Sequence, residues 1–222
     1  KLLPSIFSSG VTQINILIGT IIASFQTGAV SYLYYADRVY QINLAIAGVA
    51  VSTVSLPLLS KEIKKGNVFK VKDIQNKSLE LSLLLSIPAA AGLVIASYDI
   101  VNALFGYGSF EKNDVLKTSE ALKYFGYGIP AFALVKVLSN LFFARGNTKT
   151  PFYISVIIVF LNVSVSLAFF NKIGFLIIPI ATTLSTWIGT FIYFGILVKK
   201  RFYEARGNST ANIFKIILST TI

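Results

Sequence analysis

Residues 173–198 read IGFLIIPIATTLSTWIGTFIYFGILV, a run without a single Asp, Glu, Lys or Arg. The hydrocarbon core of a bilayer is ~30 Å thick and needs ~20 apolar residues of helix to cross it, which this run supplies. Four further uncharged runs, 2–36, 39–60, 81–98 and 150–171, are of comparable or greater length. Strands of a membrane barrel would alternate in segments of about ten residues, and these runs do not. The whole chain agrees: 55% of its 222 residues are hydrophobic, 13% are charged, and the mean hydropathy is +0.72. A soluble domain carries about 25% charged residues. The fold class read from this pattern is all-α, a polytopic transmembrane helical bundle.

Six spans are predicted, at about 6–25, 30–60, 79–98, 121–144, 152–170 and 175–198, with a seventh beginning near Ala211. Residues 1–206 then form a six-helix unit and 207–222 the start of a following helix. The second span is long enough to tilt or to project from the bilayer. The connections alternate in charge. Residues 61–77 hold six Lys against Glu62 and Asp73, 145–149 hold two cations, and 199–206 hold four cations and one acid. Residues 99–117 instead carry Asp99, Glu111 and Asp114 against Lys112 and Lys117. Lys and Arg accumulate in cytoplasmic loops, so the first span is expected to run from inside to outside. Topology explains these basic loops without any ligand. Lys65-Gly66-Asn67, Arg145-Gly146-Asn147 and Arg206-Gly207-Asn208 each follow an outside-to-inside span, where glycine can take the left-handed conformation that stops a helix.

Several chemistries are excluded. Without Cys or His the usual transition-metal ligands are missing, and no disulfide is available. There is no nucleophile–His pair, phosphate loop or intramembrane carboxylate dyad, so no catalytic residue, no cofactor and no enzyme are expected. The net charge of +11 sits in the loops and does not indicate nucleic acid. The chain starts at Lys1 and contains no Met, so more sequence is expected upstream.

Polar residues inside the spans fall into stripes of helical period. Ser5, Ser8, Thr12, Asn15 and Gly19 form one. Arg38, Gln41, Ala45, Gly48, Ser52 and Ser55 form a second; Ser155, Asn162 and Ser166 a third; Thr182, Thr186 and Gly189 a fourth. Close helix–helix contact is the ordinary role of such stripes. Four in one bundle, one containing an arginine, point to a hydrated cavity. Asp37, Arg38 and Lys136 carry charge within apolar helices, at a cost of ~2.5–3.5 kcal/mol each if they faced lipid. They must face protein or water. The ordinary alternatives are snorkelling for Arg38 and an ion pair with Asp37 for Lys136.

Residues 31–40 (SYLYYADRVY), 48–60 (GVAVSTVSLPLLS) and 135–151 (VKVLSNLFFARGNTKTP) resemble the MurJ/MviN lipid II flippases of bacteria. The resemblance implies a fourteen-helix transporter of the multidrug/oligosaccharidyl-lipid/polysaccharide superfamily, with two six-helix lobes around a cationic cavity. This chain would be the second, C-terminal lobe, and the N-terminal lobe would be missing. The implied activity is movement of the undecaprenyl-pyrophosphate-linked peptidoglycan precursor across the inner membrane by alternating access. Implied partners are that lipid-linked precursor and membrane lipids. Arg38 matches a family cavity arginine, Asp37 its acidic neighbour, and Lys136 a frequent lysine; Asn15 and Gln41 extend the substrate-binding set. Gly19 stands where many relatives carry Asp or Asn, which leaves Asn162, Ser166 and Thr182 as neutral candidate cation ligands. A flippase for another polyprenyl-linked oligosaccharide, or a non-transporting lipid-binding scaffold, would keep the same fold.

Overall fold

A computed structural model describes residues 3–203, with side chains from residue 13 onward, together with Ile216 and Thr220. The chain is helical: α1 (Leu3–Ser24), α2 (Ala29–Leu44), a π-helical segment (Ala45–Ala50), α3 (Val51–Lys64), α4 (Val68–Ile95), α5 (Ser97–Phe105), α6 (Lys112–Phe143), α7 (Lys149–Ile173), a 3₁₀ turn (Gly174–Leu176) and α8 (Ile177–Lys199). Each of the six predicted spans is a helical rod, and α2, the π segment and α3 form one of them. That rod, Ala29–Lys64, has 36 residues. At 1.5 Å per residue it is about 54 Å long, well beyond a bilayer core. Together with Val68–Ile95, Lys112–Phe143 and Lys149–Lys199, it gives four stretches long and apolar enough to cross a membrane. This is a multi-pass membrane protein. The predicted seventh span, residues 207–222 and the Arg206-Gly207-Asn208 repeat lie outside the described residues.

Two helices begin earlier than hydropathy suggests, because helical backbone persists where apolar composition stops. α4 starts at Val68 rather than near 79, and its polar first turns bury Val71, Gln75, Asn76 and Ser78. α6 starts at Lys112 rather than near 121. A capping box holds it, with the Glu111 amide donating to Asp114 Oδ2 at 2.9 Å. The predicted acidic loop 99–117 is likewise not all loop, since it contains most of the short helix α5.

α6 is the axis of the bundle. Leu122, Ile129, Ala131, Ala133, Val137 and Leu141 on it are fully buried. Contacts along α6 fix the direction of its neighbours. Tyr40 stacks on Phe125, a Cβ on Gly48 would lie 3.1 Å from the Ala133 Cα, and Ser52 Oγ donates to the Lys136 carbonyl. The α2–α3 rod therefore runs parallel to α6. So does α8, through Thr183 to the Tyr124 carbonyl, Trp187 to that of Tyr127 and Thr190 to that of Ala131. α7 and α8 are antiparallel, with Asn162 beside Thr182 and Tyr193 beside Pro151. α4 runs against α6, since Val94 meets Gly126 while Gln75 and Asn76 meet the chain just after α8. Alternate rods thus point alternate ways. All the basic connections gather at one end of the bundle, here called the basic end. Large apolar residues such as Leu17, Phe160, Leu167 and Phe191 are exposed on the outside, where lipid would meet them.

The helix stops at the basic end share one geometry. At Gly66 (φ +70°) the amides of Gly66 and Asn67 reach back to the carbonyls of Ile63 and Glu62. At Gly146 (φ +71°) those of Gly146 and Asn147 reach Phe143 and Phe142. Both are Schellman stops, for which glycine has no Cβ penalty. The asparagine after each glycine then starts the next helix: Asn67 Oδ1 accepts from the Lys70 amide and Asn147 Oδ1 from that of Thr150, each at 3.1 Å. α8 ends at Lys199, one residue beyond the predicted 198, and the chain turns at Arg201, whose φ is +54°. A non-glycine adopts that conformation only at a cost.

Candidate substrate-binding face

Asp37, Arg38 and Gln41 share one stretch of α2, and i,i+4 spacing decides their contacts. Gln41 Nε2 donates to Asp37 Oδ2, and the Tyr40 hydroxyl also bonds the Asp37 carboxylate. Asp37 is therefore occupied by neutral donors from its own helix. Arg38 is exposed, and its guanidinium lies 4.7 Å from the centroid of the Tyr34 ring, one turn earlier. Such contacts contribute about 0.5–1 kcal/mol at an exposed site. Among the described residues Arg38 has no carboxylate partner. Lys136 is also exposed, and Asp37 does not pair with it. The Ser52–Lys136 contact sets its height. Arg38 lies fourteen residues before Ser52, so the two cations are separated by about 21 Å along the bundle.

The other polar stripes are largely spent on helix contacts. Buried Asn140 on α6 donates to the Ser52 carbonyl (2.6 Å), Ser52 Oγ (2.8 Å) and Ser55 Oγ (3.3 Å), which closes the lower half of the α2–α3 stripe. The stripes of α7 and α8 face each other. Ser166 Oγ donates to Asn162 Oδ1 at 3.1 Å, Asn162 Nδ2 to Thr182 Oγ1 at 2.9 Å, and Thr182 Oγ1 to the Ile178 carbonyl at 2.7 Å. The three candidate cation ligands do come together, as a self-satisfied hydrogen-bond chain. Asn162 and Ser166 are buried. A Cβ on Gly19 would sit 3.7 Å from Ile178 Cγ2, so α1 approaches the end of this chain and brings no oxygen to it. Asn15 is half-buried and makes no hydrogen bond among the described residues. Ser5, Ser8 and Thr12 lie before the described side chains.

Arg145 does more than mark topology. Its guanidinium donates to the carbonyls of Leu141 (2.7 Å) and Phe202 (3.1 Å) and stacks 4.5 Å from the Phe202 ring centroid. Burial lowers its pKa, yet an arginine remains charged. Gln75 Nε2 donates to the same Phe202 carbonyl at 2.9 Å, and the Tyr203 hydroxyl donates to Asn76 Oδ1. Burial, then the charge of Glu80, raises the Tyr203 phenol, which keeps its proton and stays a donor. These bonds join α4, α6 and α8 at the basic end and hold Arg201 in its left-handed turn.

Comparison with known proteins places this arrangement. The family model described as lipid II flippase MurJ matches residues 1–222. The chain belongs to the MurJ lipid II flippase family. A Rickettsia prowazekii protein described as "Probable lipid II flippase MurJ" is 35% identical over 219 residues, covering 99% of this chain and 43% of its own length. A Rhizobium meliloti protein of the same description is 41% identical over 196 residues, covering 88% of this chain and 37% of its own. Among solved structures, a lipid II flippase MurJ in an inward closed conformation superposes with a TM-score of 0.86 at 29% identity, over 99% of this chain and 45% of that one. A multidrug-resistance transporter of the MATE family shares the fold, with a TM-score of 0.77 at 18% identity. This chain spans less than half the length of its MurJ relatives. The resemblance read from residues 31–40, 48–60 and 135–151 holds over the whole chain.

Proposed function

We propose that this chain is the second lobe of a lipid II flippase, which moves a polyprenyl-pyrophosphate-linked peptidoglycan precursor between leaflets of the bacterial inner membrane by alternating access. Residues 1–206 form that lobe and 207–222 begin the next helix; a partner lobe of similar size completes the cavity. The observation that carries the reading is Arg38. It is a guanidinium on an apolar rod, held open over Tyr34 and, among the described residues, in no salt bridge. A planar cationic fork of this kind suits a pyrophosphate oxyanion. Lys136, about 21 Å further toward the basic end on a parallel helix, supplies a second cation along the path. Asp37, held by Gln41 and Tyr40, positions this stretch of helix, and Asn15 faces the same substrate path from α1. The basic end lies in the cytoplasm, as its lysines require.

Coupling follows from the same chemistry. Asn162, Ser166 and Thr182 are neutral and linked in one hydrogen-bond chain that ends on the Ile178 carbonyl, and hard cations need charged oxygen ligands for firm binding. Membrane potential, worth ~2.3 kcal/mol per charge per 100 mV, is the driving force favoured here.

The test uses the full-length protein as the only flippase in a depleted bacterial strain. Arg38→Ala is expected to reach the membrane at normal levels and fail to support growth, with Arg38→Lys rescuing partly. Full growth of Arg38→Ala would mean that Arg38 only snorkels to head groups. Single cysteines at Asn67 and Asn113 test the orientation. An impermeant thiol reagent should label Asn113 in intact cells, and labelling at Asn67 would reverse it.

A further inference from the structure

A cleft of about 670 Å³ opens at the end of the bundle opposite the basic loops, and Arg38 is not among the residues that line it. Five rings line it: Tyr32 and Tyr35 from α2, Phe105 from α5, and Tyr107 and Phe110 from the segment leading into α6. Ser31, Ser109 and the carboxylate of Asp114 complete the wall. The wall is pre-formed. Tyr35 packs 4.8 Å from Phe105 and 5.2 Å from Phe110, ring centroid to centroid. The Tyr32 hydroxyl donates to Asp114 Oδ1 at 3.0 Å, while the Glu111 amide holds Oδ2. Tyr107 stands at the rim, 73% exposed.

We propose that this cleft binds a neutral mono- or disaccharide. Aromatic faces carry the negative side of the ring quadrupole and take the C–H faces of a pyranose, while hydroxyls and a carboxylate take its OH groups. Aromatic walls with a few fixed polar groups and a volume of ~300–1,000 Å³ describe a small-molecule site in general. Two rival explanations fit less well. An interfacial aromatic belt points its rings outward to head groups, whereas these line a concavity. An ammonium ion would leave most of the volume empty. Tyr35 and Arg38 are three residues apart on α2, about 4.5 Å of helix rise. A sugar in the cleft and an anion at Arg38 can therefore belong to one substrate, and that link rests on the flippase reading; saccharide binding itself does not.

The experiment is saturation-transfer NMR of chitobiose with the purified full-length protein in nanodiscs. Transfer is expected with wild type and with Arg38→Ala, and an affinity at least fivefold weaker with Tyr107→Ala and with Asp114→Asn. Tyr98→Ala, an exposed tyrosine outside the cleft, should bind as wild type. No transfer with wild type, equal binding by Tyr107→Ala, or displacement of chitobiose by tetramethylammonium would overturn the proposal. Normal binding in Arg38→Ala together with normal lipid translocation would overturn the flippase role of Arg38 and leave the saccharide site standing.

Discussion

Arg145 and Arg38 are the same side chain in opposite circumstances. Arg145, at the basic end, is half-buried, gives its protons to two carbonyls and lies against Phe202. Arg38, near the other end, is exposed, touches one aromatic face and forms no salt bridge among the described residues. The first is spent on tying the end of α6 to the chain after α8. The second costs the fold little to keep and offers its fork to whatever enters the cavity. The same division runs through the neutral polar groups: Asn140, Asn162 and Ser166 are buried and hydrogen-bonded to neighbouring helices or to one another, while Asn15 makes no hydrogen bond among the described residues.

That division sets the size of mutational effects. The largest expected effect is on transport: Arg38→Ala should remove most lipid translocation and leave the thermal midpoint of the purified protein unchanged. Arg145→Ala should do the reverse. It removes two charge-assisted hydrogen bonds at a cost of about 1.5–3 kcal/mol. The midpoint should fall, and the transport rate per folded molecule should stay near wild type. A midpoint unmoved by Arg145→Ala would contradict its structural role. Asn162→Ala strips Ser166 of its acceptor and Thr182 of its donor, and leaving such buried groups unmade costs about 1–3 kcal/mol. The wild-type midpoint should be equal in sodium and potassium. A rise specific to sodium, lost in Asn162→Ala, would make this chain a cation site after all. The smallest effect is expected of Tyr34→Leu, which removes a contact of about 0.5–1 kcal/mol and should weaken substrate binding a few-fold without affecting folding.

Much of this was readable in the sequence. The spans follow from uncharged runs that only a helix through lipid explains, and Arg38 stood out because charge is rare in such runs. Two local contacts were readable as well, since Tyr34–Arg38 and Asp37–Gln41 are both i,i+4 pairs. What hydropathy could not give was the polar continuation of α4 and α6, where helix persists outside the apolar window. Nor could any local pattern give the Arg145–Phe202 bond, which joins residues 57 apart. That junction also explains the turn after α8, where bonds from Gln75 and Arg145 to the Phe202 carbonyl hold Arg201 in its left-handed conformation.

The central claim is that Arg38 recognises the anionic head group. Its most direct test is translocation of fluorescent lipid II by the full-length protein in vesicles, comparing wild type, Arg38→Lys and Arg38→Ala at equal amounts of folded protein and clamped membrane potential. The account predicts a graded loss, with lysine retaining part of the rate because it keeps the charge without the bidentate fork, and alanine close to protein-free vesicles. Equal rates for all three would contradict it.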